Sequence, residues 1–169
     1  MCASPGGKST LLAGMLSKDS LLIANEVIRP RAAILEENLV RWGFMNNWVT
    51  SNDPRDFSGI TGYFDVILVD APCSGSGLFR KDSRAVEEWS ENNVQLCAQR
   101  QQRIVANVWS ALKEGGVLVY ATCSYSPAED EEILDWMAST YKVSPVSVSL
   151  NEEWGIIPIT TPGGMVGYR

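Results

Sequence analysis

The sequence predicts an α/β fold, a mostly parallel sheet with helices on both faces. Segments of helical period alternate along it with short apolar runs rich in β-branched residues. Two of those runs, Val66-Ile67-Leu68-Val69 and Val117-Leu118-Val119-Tyr120, are continuously apolar, the pattern of strands buried on both faces. Each leads into a turn-rich loop that carries a cysteine: Asp70-Ala71-Pro72-Cys73-Ser74-Gly75-Ser76-Gly77 and Ala121-Thr122-Cys123-Ser124-Tyr125-Ser126-Pro127. In open α/β sheets the carboxyl edge of the strands is where ligands bind. Two thiols and a carboxylate at that edge point to covalent chemistry rather than packing.

The elements follow in order. Cys2 to Gly7 is a Gly/Pro loop, and Lys8 to Ser17 a helix with Leu11, Leu12, Met15 and Leu16 on one side. Leu21 to Ala24 is a short buried strand. Arg29 to Trp42 is a helix, with Pro30 in its first turn and Gly43 as C-cap. Trp48 to Thr50 and Phe64 to Val69 are strands, and Gly75 to Ser90 is an irregular, charge-rich loop. Glu91 to Lys113 forms the longest helix, closed by Gly115-Gly116 before a strand from Val117 to Ala121. Ser126-Pro127-Ala128-Glu129 has the form of a capping box, opening a helix that runs to about Tyr141. A strand through Val146 and Val148 is plausible, and the tail from Asn151 reads as mostly loop.

A doubly wound sheet has a strand before its first Gly-rich loop, yet this sequence opens inside that loop. We therefore expect residues 1–169 to be one domain, a fragment lacking the first core strand and the closing strands.

Composition excludes several classes. The formal net charge is −6, the wrong sign for a protein that binds nucleic acid with its whole surface, so an RNA contact needs a local basic patch. No apolar run approaches the length of a membrane span and no secretory leader is visible, so a soluble, cytoplasmic chain is expected. There is no histidine, which removes Ser-His-Asp and Cys-His machinery and histidine metal sites. None of Cys2, Cys73, Cys97 and Cys123 forms a Cys-x-x-Cys pair, so neither a metal nor a disulfide framework is expected.

The opening loop Cys2-Ala3-Ser4-Pro5-Gly6-Gly7-Lys8-Ser9 leads into a helix whose N-terminus can take an anionic group. Gly7-Lys8-Ser9 matches the end of a phosphate-binding loop, but that motif requires a glycine where this sequence has Cys2. A phosphate-loop hydrolase is thus the weaker reading. Glu26, Asp53 and Asp70 each follow a strand, and together they suggest a nucleoside lying across the sheet edge. Cys97 falls on the apolar face of the long helix and belongs to the core, and Cys2 leans the same way. Arg80, Lys81 and Arg84, followed by Trp89, form the best local basic patch, suited to phosphates and a stacked base, or else a solvated loop with a packed tryptophan.

The set of motifs, Cys2 to Lys8, Asp70 to Gly75, and Thr122-Cys123-Ser124 with Pro127 and Glu131, resembles the NOL1/NOP2/Sun family of S-adenosylmethionine-dependent RNA cytosine-5 methyltransferases. The order and spacing match across nearly the whole sequence. The resemblance implies a Rossmann-like methyltransferase core and a ribosomal or transfer RNA substrate. It implies that Cys2, Ala3, Ser4, Pro5, Gly6, Gly7 and Lys8 hold the methionine part of the cofactor. Glu26 takes the ribose with Arg31 nearby, Asp53 faces the adenine, and Asp70 lies between cofactor and base. Cys123 is then the nucleophile and Cys73 serves product release.

The chemistry fits these residue types. Carbon 5 of cytosine is a poor nucleophile, and a thiolate added at carbon 6 makes the ring enamine-like. A protonated Asp70 would serve the pyrimidine nitrogen edge, since burial can raise a carboxylic pKa. Without histidine, Cys123 needs local dipoles or a cation such as Lys8 to reach its thiolate. The competing expectation is a truncated, inactive fragment that binds cofactor weakly.

Overall fold

In the computed structural model, which describes all 169 residues, the chain divides into two compact units. The first comprises Met1–Ala71 with Arg103–Ala121, and the second Pro72–Gln102 with Thr122–Arg169. No helix is long and apolar enough to cross a membrane.

The first unit starts with a loop that turns into α1 (Gly7–Met15). Gly6 caps that helix in the left-handed region at φ 115°, and a Cβ there would come within 3.1 Å of Leu35 Cδ1. Strand β1 (Leu22–Asn25) pairs in parallel with β2 (Asn47–Thr50), with Leu22 opposite Asn47 and Asn25 opposite Thr50. Between them lies α2 (Arg29–Trp42), bounded as its sequence markers foretell by Pro30 and by a left-handed Gly43. Leu35 and Leu39 on its inner face are fully buried and cluster with Ala13 and Ala24. A short 3₁₀ helix, Pro54–Gly59, then leads to β3 (Phe64–Asp70).

Strand β3 pairs in parallel with β4 (Leu112–Ala121). The register shifts between Phe64 and Val66, so Gly115 and Gly116 sit in an irregularity of β4. This corrects the expected helix from Glu91 to Lys113. The helix α4 spans Glu91–Trp109, and Leu112, in phase with its apolar face, instead faces Phe64 in the sheet. Val105 and Val108 of α4 are fully buried.

The two parallel pairs are separate two-stranded sheets, not one continuous sheet. Only Met1 to Ala3 joins them: the Met1 ammonium donates to Leu68 O, Asp70 N donates to Met1 O, and Ala3 N donates to Asn25 O. Below that bridge a cavity of about 670 Å³ runs along the flanks of β1 and β3, lined by Ile23, Ala24, Val66 and Leu68 among others.

In the second unit, the segment expected to be an irregular loop holds a 3₁₀ turn, Ser76–Leu78, and a short helix α3 (Arg84–Glu88). A second turn, Pro127–Glu129, precedes α5 (Glu131–Thr140), whose Ile133 and Met137 are buried. Residues 142–150 form no strand. The strands of the tail are instead β5 (Pro158–Thr160) and β6 (Val166–Tyr168), an antiparallel hairpin where loop was expected. Arg169 closes it against Glu131 Oε1 at 2.7 Å and Asp130 Oδ2 at 3.4 Å.

Candidate active site

The acids predicted to line the sheet edge differ in their surroundings. Glu26 follows β1 and is only 1% exposed, far from the solvated state usual for a lone acid after a strand. Its Oε1 accepts from Ile28 N at 3.1 Å and its Oε2 from Ser4 N at 3.4 Å, with Arg31 Nη2 3.7 Å from Oε2. Arg31 also donates to Ser4 O at 3.0 Å, so Glu26 and Arg31 together brace the opening loop. Cys2 in that loop is held at φ 57°, a conformation unusual for a residue with a side chain and one found where a site fixes its backbone. Burial pushes the Cys2 thiol pKa up, consistent with a structural role for it.

Asp53 serves its own loop. Its carboxylate accepts from Arg55 N and pairs with the Arg55 guanidinium, while Asp56 reaches back to Asp53 N in a reciprocal cap. The Arg55 backbone N–H beside Asp53 holds its carboxyl below the usual range. Asp70 ends β3 and lies 2.9 Å from the Lys8 ammonium. The cation expected to serve a thiol is thus engaged by Asp70. Sequence reading missed Asn25, which is buried and joins the ends of β1 and β2. Its Oδ1 accepts from Thr50 Oγ1 and Asn52 N, and its Nδ2 donates to Asn52 O. An asparagine ending an apolar strand is the only signal that could have marked it.

The large cavity does not include Glu26, Arg31 or Asp53 among its walls. Its walls do include Ala3, Lys8 and Asp70, so the opening loop and the end of β3 border it. No side chain caps α1 and no acid occupies its first turn, and a Cβ on Gly7 would meet nothing within 4 Å. That leaves room and backbone N–H groups for an anionic group at the helix start.

The second unit brings the two predicted thiols together. Cys73 Sγ and Cys123 Sγ are 3.1 Å apart. The loops that carry them touch directly, for Gly77 N donates to Cys123 O at 2.7 Å, and a Cβ on Gly77 would lie 2.1 Å from that oxygen. Only glycine fits there. Burial, then the hydrogen bond with Cys123, pushes the Cys73 thiol up to about 12, whereas Cys123 is exposed. Cys97 is buried, as its position on the helix foretold.

Behind the thiols, Glu129 is fully buried, although its spacing from Ser126 had suggested a capping box. Ser126 makes no side-chain cap. The Glu129 carboxylate instead accepts from Ser74 N (2.8 Å), Ser74 Oγ (2.5 Å), Ser124 Oγ (2.6 Å) and Gln101 Nε2 (3.1 Å). Gln101, also fully buried, was equally unforeseen.

The expected basic patch is partly spent. Arg84 forks onto Asp82, with Nε–Oδ1 at 3.1 Å and Nη2–Oδ2 at 2.9 Å. Trp89 packs edge-on against Phe79 at 6.4 Å between ring centroids. Arg80 and Lys81 are exposed.

Comparison with known proteins agrees with this geometry. The profile of the family described as 16S rRNA methyltransferase RsmB/F matches residues 1–157. Ribosomal RNA small subunit methyltransferase F of Pectobacterium atrosepticum is 36% identical over 142 residues, covering 83% of this chain and 29% of that protein. Its counterpart in Vibrio cholerae is 37% identical, with 83% and 30% covered. The chain thus spans about three-tenths of the length of these relatives. Among solved structures, NSun6 from Pyrococcus horikoshii with SFG superposes with TM-score 0.72 at 28% identity, covering 96% of this chain and 38% of that one. A methyltransferase homologue from the same organism reaches TM-score 0.77 at 30% identity, covering 96% and 50%. The parallel strand pairs and flanking helices of this chain match the Rossmann-like core of such methyltransferases, and the chain belongs to the RsmB/F family of 16S rRNA methyltransferases.

Proposed function

We propose that this chain forms the catalytic core of an enzyme that methylates carbon 5 of a cytosine in ribosomal RNA, using S-adenosylmethionine, in the cytoplasm. The observation that carries the reading is the 3.1 Å approach of Cys73 Sγ to Cys123 Sγ, from two loops of one unit. A lone buried thiol is usually packing. Two that meet at the ends of loops, one of them exposed, suit the addition and later expulsion of a pyrimidine.

When bound, S-adenosylmethionine supplies an electrophilic methyl group. The NSun6 relative was solved with SFG, an analogue of it. The opening loop fits such a ligand: Cys2 to Lys8 surround the start of α1, and buried Glu26 retains acceptor capacity beyond its hydrogen bonds with Ser4 and Ile28. Arg31 and Asp53 are proposed neighbours of the nucleoside part, Asp53 with its exposed carboxylate edge.

The exposed Cys123 is the nucleophile. Its thiolate adds to carbon 6 of cytosine, which pushes electron density to carbon 5 and allows that carbon to take the methyl group. A water molecule then takes the proton from carbon 5 as the carbon–sulfur bond breaks, and Cys123 leaves as thiolate. Cys73 keeps its own proton at neutral pH, which disfavours it as the attacking thiolate and leaves its S–H to hydrogen-bond the departing Cys123 sulfur at 3.1 Å and stabilise it as a thiolate. The Lys8–Asp70 pair holds the pyrimidine nitrogen edge, Lys8 providing the protons that a lone carboxylate lacks. Arg80, Lys81 and Arg84 are proposed to contact RNA phosphates, Arg84 after exchanging Asp82 for them.

The test uses labelled RNA and denaturing gels. Cys123→Ala should abolish methylation and form no adduct, whereas Cys73→Ala should accumulate a covalent RNA–protein adduct because expulsion stalls. An adduct that survives Cys123→Ala and depends on Cys73 would reverse the two roles.

A further inference from the structure

The two cysteine loops do not meet by themselves. Ser74 follows Cys73 and Ser124 follows Cys123, and both reach the same buried carboxylate, Glu129. Its Oε1 takes Ser74 N and Gln101 Nε2, and its Oε2 takes both serine hydroxyls. Gln101 Nε2 also donates to Pro72 O at 3.0 Å, on the other side of Cys73. Its orientation is therefore set, since the reversed amide would aim an oxygen at two acceptors. Gln101 Oε1 is left buried without a partner, a cost that a packing residue would avoid. Ser124 Oγ completes the arrangement by accepting from Ser126 N at 3.1 Å.

We propose that Glu129 is the positioning residue of this site, the shared acceptor that sets the spacing of the Cys73 and Cys123 thiols. This deepens the two-thiol reading given above and rests on it. Glu129 acts through the residue next to each cysteine, on loops whose opposite side is fixed by Gly77 and Cys123 O. A carboxylate suits the task because it accepts several donors at once and donates none. Glutamine keeps one oxygen for the two N–H donors and turns an amide toward two hydroxyls that can rotate to accept it.

The spacing can be read without methylation. Diamide takes two electrons and two protons from a pair of neighbouring thiols, forming the disulfide and the hydrazine. Peptide mass spectrometry under non-reducing conditions then follows the Cys73–Cys123 disulfide, and iodoacetamide labelling of Cys123 reports its reactivity alone. In Glu129→Ala the disulfide should form at least about tenfold more slowly while Cys123 labelling stays near wild type, because two-group reactions depend steeply on spacing. Glu129→Gln should stay within about threefold of wild type, by the same argument. If Glu129→Ala does not fold, as judged by circular dichroism, the double variant Ser74→Ala/Ser124→Ala keeps the carboxylate and should show the same selective slowing. A folded Glu129→Ala or serine variant that crosslinks at the wild-type rate overturns the proposal, as does Glu129→Gln as slow as Glu129→Ala. Loss of the two-thiol mechanism would be seen separately, as methylation that survives Cys123→Ala with the crosslinking results unchanged.

Discussion

Glu26 and Glu129 are both buried at 1% exposure or less, yet they do opposite work. Glu26 accepts two hydrogen bonds, 3.1 Å from Ile28 N and 3.4 Å from Ser4 N, with Arg31 at 3.7 Å. Glu129 collects four donors at 2.5 to 3.1 Å. A carboxylate has about four acceptor directions. Glu26 leaves some of them open and Glu129 fills them with its own chain. The difference separates an acid kept for a ligand from an acid used as a joint, and burial alone would not distinguish the two.

The largest effect should come from breaking the joint. Glu129→Ala strands two N–H donors and two hydroxyls in a buried space, so thermal unfolding should show a loss of about 3 kcal/mol, from the cost of unsatisfied buried groups. A loss under about 1 kcal/mol would mean that water satisfies the donors equally well. Glu26→Ala should behave differently. Its smaller number of hydrogen bonds predicts a smaller stability change, of about 1 kcal/mol, with a loss of about 1–3 kcal/mol in S-adenosylmethionine affinity measured by calorimetry. If affinity is unchanged and stability collapses, Glu26 is a second joint and the contrast fails.

The smallest effect is kinetic and concerns the thiols. Burial raises the Cys73 pKa to about 12, so the folded state holds that proton through the range where an ordinary thiol loses it. The contribution of this group to stability is intact below an ordinary thiol pKa and declines as pH climbs toward 12. Between about pH 7 and 9, iodoacetamide should therefore label Cys123 at least about tenfold faster than Cys73, with Cys73 catching up only in strong alkali. Equal labelling at neutral pH would contradict the division of roles between them.

Local signals made part of this molecule legible. Pro30 and Gly43 bracket α2 to the residue, because one fits a first turn and the other a left-handed cap. The cysteines were legible because each follows an apolar strand into a loop too polar and glycine-rich for a packed thiol. Failures arose where a local signal was outbid by pairing or burial. Leu112 continues the apolar period of α4, but pairing with Phe64 takes it into β4 and moves Gly115-Gly116 from a helix end into a bulge. Glu129 stands at the spacing of a capping residue, yet the two serines beside the cysteines draw it inward. Gln101 and Asn25 left only faint marks in the sequence because their partners are backbone and side chains far along the chain. A polar residue on a helical apolar face, as Gln101 is beside Cys97 and Ile104, was the available clue.

The bridge made by Met1 to Ala3 has a practical bearing on how the protein is produced. The α-ammonium of Met1 donates to Leu68 O and burial pulls its pKa down, so the folded state works against a positive charge at that point. Any group joined to Met1 through a peptide bond, such as an affinity tag, would replace the ammonium by a neutral amide. The amide keeps a donor for Leu68 O and removes the desolvated charge. The bridge between the two strand pairs thus depends on a donor at Met1 N rather than on its charge.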